Sequence, residues 1–264
     1  MLEKNTLPLF FGKSTDKAII EPEDFVNDMI KITNTKKSVF PKKCIISFFN
    51  HQFEKFLNNK SIKKINWTIN MTPMIILEKN NEKIGYVFPG FGTYAATFLD
   101  RLIALGMEKF VVIGTASTLD EKMQRGELII PEFAIIDEGF SYHYIEPSRY
   151  SYPSKKFLRI AKEYFDKGNI KYKLGGTWTT EALHRETFRK RDEFLKEGCL
   201  TVEMETSALF SVAACRKRDI IALFSAGDCI GGKKWNSRKN SKTISKIQKK
   251  EGRLLDYAIS ILTS

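Results

Sequence analysis

The chain has few of the residues that build disulfide or metal scaffolds. Its 264 residues include four cysteines and three histidines. Cys44, Cys199, Cys215 and Cys229 make no Cys-x-x-Cys pair, and His51, His143 and His184 lie far apart in sequence. This spacing argues against a zinc knuckle or a disulfide frame, so reduced thiols and no metal are expected. No apolar run nears the roughly 20 residues that a bilayer-spanning helix needs, so no membrane partner is expected. Residues 1–17 carry acids and only a short apolar patch at 7–11, which does not read as a signal peptide. A soluble, cytoplasmic protein is expected. Neither an internal repeat nor a Pro/Gly/Ser-rich linker divides the sequence, and residues 1–264 are expected to form one domain.

The chain is rich in apolar residues and in positive charge. Hydrophobic residues make up 42% of the sequence, with 20 phenylalanines, enough for a large core without staples. The net charge is +12, and residues 233–253 hold nine basic residues against Glu251 alone. A second stretch, residues 31–43, has five lysines and no acid. Such clusters suit a nucleic-acid backbone, a solvated lysine-rich face, or steering of small anions toward a cleft. Trp235 is the one stacking ring in the larger cluster and no nucleic-acid motif accompanies it, so the solvated face is preferred to a nucleic-acid partner.

Periodicity alternates between strand and helix. Residues 84–88 and 109–113 read as strands, with a helix at 95–105 closed by Gly106 between them. Residues 128–130 and 134–136 read as two strands broken by Pro131. A helix is predicted over 154–167, a strand over 172–177 and a helix carrying Met204, Ala208, Val212 and Cys215. A strand at 220–224 and a C-terminal helix at 243–262 follow. Alternating elements of this kind predict an α/β fold, with the site at polar strand ends.

Four stretches could carry chemistry, and each also has an ordinary reading. Gly114-Thr115-Ala116-Ser117 offers hydroxyl and backbone donors to an anion or a sugar, or is a plain strand-to-turn junction. In Val202-Glu203-Met204-Glu205, a carboxylate can accept both vicinal hydroxyls of a ribose while the methionine packs on the sugar; acids also simply favour a first helical turn. An aspartate placed like Asp228, after an apolar strand, can act as a general acid or merely cap a turn. Trp178, beside Thr177 and Thr179, offers a face to a nucleobase or fills the core.

Taken together and in this order, the stretches resemble the nucleoside phosphorylase family of purine nucleoside phosphorylases, uridine phosphorylases and methylthioadenosine nucleosidases. The resemblance runs from about residue 84 to the C-terminus, and Val202-Glu203-Met204-Glu205 is its most specific motif. It implies a single α/β domain with a mixed, twisted central β-sheet flanked by helices. It also implies phosphorolysis of a nucleoside, leaning to purines, to free base and ribose 1-phosphate, with phosphate as co-substrate and no cofactor. By the resemblance Glu205 and Met204 hold ribose. Trp178, Glu203, Arg189 and His143 meet the base, Thr115, Gly114 and Arg185 meet phosphate, and Asp228 is catalytic. A homo-oligomer with sites near subunit interfaces is implied as well.

The sequence departs from the family at the phosphate site. Val112 stands where the phosphorylases carry an arginine. The counterpart of their Gly-Asp-Pro loop and following arginine is Phe49-Asn50-His51-Gln52-Phe53. Valine cannot replace a bidentate guanidinium. Arg149, Arg185 or Arg189 would then have to supply the clamp, or water replaces phosphate as in the nucleosidases, or the chain is a non-catalytic nucleotide-binding relative.

Overall fold

A computed structural model describes residues 8–10, 15–68, 72–238 and 241–264, with only the backbone for 241–251. Most of residues 1–17 and the side chains of half the basic 233–253 stretch thus lie outside the described part. Among the described residues no helix is long and apolar enough to cross a membrane.

The described strands are β1 (Lys43–Ser47), β2 (Lys64–Ile65), β3 (Met74–Lys79), β4 (Glu82–Val87), β5 (Lys109–Thr118), β6 (Leu128–Asp137), β7 (Tyr150–Ser151), β8 (Lys173–Thr180), β9 (Cys199–Glu203) and β10 (Asp219–Cys229). The helices are α1 (Pro22–Thr33), α2 (Asn50–Asn58), α3 (Ala95–Ala104), α4 (Lys155–Lys167), α5 (Phe188–Lys196), α6 (Thr206–Cys215) and α7 (Ser241–Leu262). The strands form one mixed sheet in the order β10-β6-β8-β9-β5-β1-β4-β3-β2, with β7 on β6. Because β10 also pairs with β5, the strands β5, β10, β6, β8 and β9 close into a ring. The expected α/β domain with a mixed sheet and flanking helices is the one observed.

Alternation along β5 builds the two core layers. Val111 and Ile113 face α4 and α7, in a layer with Phe157, Phe165, Leu255 and Ala258. Phe110, Val112 and Ala116 face the other way, toward α1, α3 and α6, with Phe98, Leu102 and Leu209. A strand with both faces covered reads as a continuous apolar run, which is why the start of β5 was legible.

Two expectations need correction. Residues 128–137 form one strand rather than two, because Pro131 sits at a register shift between Pro131 and Phe133 where its missing N–H is tolerated. Gly114-Thr115-Ala116-Ser117 is not a turn but the end of β5, held by β10 on one side and β9 on the other. Its small residues admit a close neighbour: a Cβ on Gly114 would stand 3.5 Å from Phe48.

β1, β4, β5 and β10 run parallel, so their carboxyl ends converge. Phe48, the loop at 88–94, Thr115, Ser117 and Asp228 therefore collect at one end of the sheet, where open α/β sheets bind ligands.

Candidate functional site

The end of β5 is the floor of the site. Thr115 and Ser117 share one face, and Thr115 is exposed. On one side lies β10, with Ser225 opposite Thr115. Asp228 follows at an irregularity in that pairing and accepts a 2.6 Å hydrogen bond from Ser117 Oγ on its Oδ1. On the other side Ser117 pairs with Val202 of β9, which leads directly into Met204 and Glu205. The sheet thus sets the two carboxylates on opposite flanks of the same strand end.

Glu205 is buried and sits at the start of α6. Its Oε1 accepts from the Gly92 N–H at 2.6 Å and its Oε2 from the Met204 N–H at 3.3 Å. Gly90 and Gly92 both take positive φ, of 90° and 83°, which lets the loop after β4 turn that N–H toward the carboxylate. Thr93 of this loop donates to Glu181 beyond β8, joining two walls of the site. Burial and the neighbouring Glu203 charge push Glu205 up to about 8. Two peptide N–H donors leave lone pairs on both oxygens, and an ionised Glu205 can still accept two hydroxyls.

Glu203 plays a different part from the expected contact with a base. Its Oε1 accepts from Thr179 Oγ1 at 2.6 Å and Thr177 Oγ1 at 3.4 Å. Its Oε2 accepts from the N–H groups of Glu205 (2.9 Å) and Thr206 (2.7 Å) and from Thr206 Oγ1 (2.6 Å). The carboxylate therefore satisfies the otherwise orphan donors at the start of α6 and holds Glu205 in place. Burial raises its proton affinity while these bonds oppose the rise. Glu203→Ala is expected to cost about 2–4 kcal/mol in urea unfolding, because it strands buried donors. A loss below about 0.5 kcal/mol, typical of a surface change, would contradict this.

Trp178 is likewise not a base platform. It is fully buried, 0% exposed, on the face of β8 opposite Thr177 and Thr179. Its ring meets Phe194 of α5 edge-on at 5.0 Å, and its Nε1 donates to Asp137 at 2.9 Å. His143 is exposed and lines a cleft of about 620 Å³ with Asp100, Tyr144 and Arg216, against α1 and α3. Neither Glu205 nor Asp228 borders that cleft, so within one chain His143 stands apart from both carboxylates. Arg185 and Arg189 are exposed in and beside the segment leading into α5. Arg149 is ion-paired with Glu197. Met204 is half-buried and lies between Glu203 and Glu205 in sequence.

Two residues not singled out as site residues belong to this end of the sheet. Trp235, 68% exposed, donates from Nε1 to Asp228 Oδ2 at 2.6 Å. Glu186 is half-buried, and burial together with the Asp228 charge pushes it up to about 7. A cleft of about 820 Å³ lies elsewhere, between α4, α7 and the starts of β6 and β8. Phe91, in the loop after β4 that meets Glu205, is 65% exposed.

The molecule is thus an α/β fold whose mixed sheet sets Glu205 and Asp228 at converging strand ends. A family profile described as the Phosphorylase superfamily matches residues 42–260, and the chain belongs to that family. It is 27% identical over 154 residues to a DeoD-type purine nucleoside phosphorylase of Streptococcus pneumoniae (strain CGSP14), covering 55% of this chain and 61% of that one. The chain thus spans about three-fifths of the length of the curated relatives it matches. Its fold is similar to uridine phosphorylase from Vibrio fischeri ES114, with TM-score 0.72, 19% identity, and 86% and 94% of the two chains covered. It is also similar to AMP nucleosidase from Bacteroides thetaiotaomicron VPI-5482, with TM-score 0.71, 20% identity, and 92% and 97% covered.

Proposed function

We propose that the chain cleaves the N-glycosidic bond of a purine nucleoside, with water as the acceptor. The observation that carries this reading is the placing of Asp228 and Met204-Glu205 on either flank of the β5 end. In this reading Glu205 accepts the two ribose hydroxyls and Met204 packs on the sugar. Asp228 meets N7 of the base and favours the proton that N7 gains as the base departs. The sugar becomes oxocarbenium-like as the bond to N9 breaks, and carboxylates around it stabilise that charge.

Water is preferred to phosphate because of what fills the phosphate positions. Val112 is buried in the core against the α3 and α6 layer. Phe48 packs at Gly114 and stacks on Phe91 at 6.3 Å. In the counterpart of the Gly-Asp-Pro loop, Gln52 accepts from the Tyr86 hydroxyl at 3.2 Å and Phe53 is buried in the core. Aromatic and aliphatic groups in these places offer an anion no charge-assisted bond. The relatives' names support a nucleoside substrate, and they include both a phosphorylase and a nucleosidase.

The test is product analysis on adenosine, inosine and uridine, with phosphate present or rigorously removed. Free base and free ribose at equal rates in both conditions are expected, with purines preferred. Ribose 1-phosphate formed only with phosphate would establish phosphorolysis instead.

A further inference from the structure

We propose that Trp235 is a positioning and base-recognition residue of this site: its indole N–H fixes the carboxylate of Asp228, and its open ring face stacks on the purine that Asp228 meets. The inference rests on the nucleoside-cleaving reading above and adds to it the wall against which the base lies.

Both oxygens of Asp228 are held. Trp235 Nε1 stands 2.6 Å from Oδ2, and Ser117 Oγ stands 2.6 Å from Oδ1. An indole N–H only donates, so Oδ2 is the acceptor in the first pair. With a partner on each oxygen the plane of the carboxyl group is set. Each oxygen keeps a further lone pair, and those are what N7 of a base can meet.

The loop that carries Trp235 is built to keep it there. Cys229 and Asn236 exchange backbone bonds of 2.9 Å in both directions, closing the loop at its base. Arg191 of α5 donates from Nη1 to the carbonyls of Ile230 at 3.0 Å and Gly232 at 2.8 Å. The loop also lies against the segment after β5, where a Cβ on Gly231 would stand 2.6 Å from the Leu119 carbonyl oxygen. Only a residue without a side chain fits so near that backbone. Arg125 ties the end of the loop through the Ser237 carbonyl at 3.0 Å.

Held in this way, the indole is 68% exposed, and among the described residues neither face of its ring meets another ring or a cation. One exposed aromatic is ordinary on a protein surface. This one differs because it is tied to the carboxylate at the flank of the β5 end. The N–H of an indole lies in the plane of its ring, and so does the N7–H that a departing purine gains. Two flat rings that each aim an in-plane N–H at one carboxylate fit beside it face to face. Trp178, fully buried, has no face to offer. A purine presents two fused rings to the indole and a pyrimidine one, so the same contact favours the purine.

Kinetics and spectroscopy of the full chain test this. Trp235→Phe keeps a ring and removes the donor, so kcat on inosine should fall about tenfold while KM stays within about twofold of the wild type. Trp235→Ala removes the ring as well, and its KM for inosine should rise about tenfold above that of the Phe variant, with KM for uridine changing less than about threefold. A Trp235→Ala variant within about twofold of the wild type in kcat and KM for inosine would overturn the proposal. The second measurement needs no turnover. The chain has three tryptophans, so a ¹⁵N–¹H spectrum holds three indole signals, and the one lost in Trp235→Phe is that of Trp235. It should move upfield in Asp228→Ala, and move again when the wild type is saturated with a non-cleavable purine nucleoside analogue. A signal unmoved in Asp228→Ala shows that the indole does not hold the carboxylate and overturns the proposal. An analogue that binds by calorimetry yet leaves the signal in place also overturns it, while the nucleoside reading stands. An analogue that does not bind contradicts that reading, and the proposal with it.

Discussion

Asp228→Asn is expected to lower kcat for purine nucleoside cleavage about a thousandfold while leaving the fold intact. The amide keeps the size of the carboxyl and can still accept one bond, so Ser117 and Trp235 are not left without a partner. What it removes is the negative charge beside the departing base. That charge matters most when N7 gains its proton, so the loss falls on kcat more than on KM. Steady-state kinetics across pH, with circular dichroism as the control, check both expectations. Turnover within a fewfold of the wild type would remove Asp228 from the mechanism.

Glu205→Gln is expected to cost about 10²–10⁴ in kcat/KM, since two hydroxyls each lose a bond to a charged acceptor worth about 1.5–3 kcal/mol. The pH dependence follows from burial. Glu205 keeps its proton up to about pH 8, and only the ionised form accepts both hydroxyls. Wild-type kcat/KM should therefore rise as pH approaches about 8. The Gln variant should lack the rising limb.

Stability should move the opposite way. The unfolded chain releases this proton near its ordinary value of 4.5 and the folded chain holds it to about 8. Between those values the native state binds more protons, so stability falls as pH rises, and the fall should be shallower in Glu205→Gln. Thermal unfolding at pH 5 and pH 8 reads the difference. A wild-type curve no steeper than that of the variant would contradict the raised proton affinity.

Local patterns showed a good part of this site. The strand ending near residue 88, the helix after it and the apolar run of β5 were legible because each is covered on both sides or has a clear helical stripe. The Val202-Glu203-Met204-Glu205 run and Asp228, near the end of β10, were legible through the resemblance to a family rather than through periodicity. The two glutamates could not be told apart from sequence. Their roles depend on Thr179 and Thr206 approaching one of them and Gly92, 113 residues earlier, approaching the other.

The sequence leaves both readings of Trp178 open because the helix that buries it leaves little trace in the pattern. α5, Phe-Arg-Lys-Arg-Asp-Glu-Phe-Leu-Lys, has six charged residues in nine and gives little amphipathic signal, yet its Phe194 closes the core over the indole. The alternation along Thr177-Trp178-Thr179 did hold a clue, since the tryptophan must face away from the threonines that bind Glu203. Trp235, seen as a ring within a basic stretch, becomes a ligand of Asp228 only through the loop closure at Cys229 and Asn236. Glu186 carries no sequence signal, because its environment is made by residues more than 40 positions away.

The most direct measurement is a crystal structure of the chain with a non-cleavable purine nucleoside analogue. The ribose hydroxyls should lie within hydrogen-bond distance of both Glu205 oxygens. The base should lie over the β5 end, with its N7 edge toward Asp228. An analogue bound in another cleft, or a sugar that leaves Glu205 bonded only to Gly92 and Met204, would contradict the account at its centre.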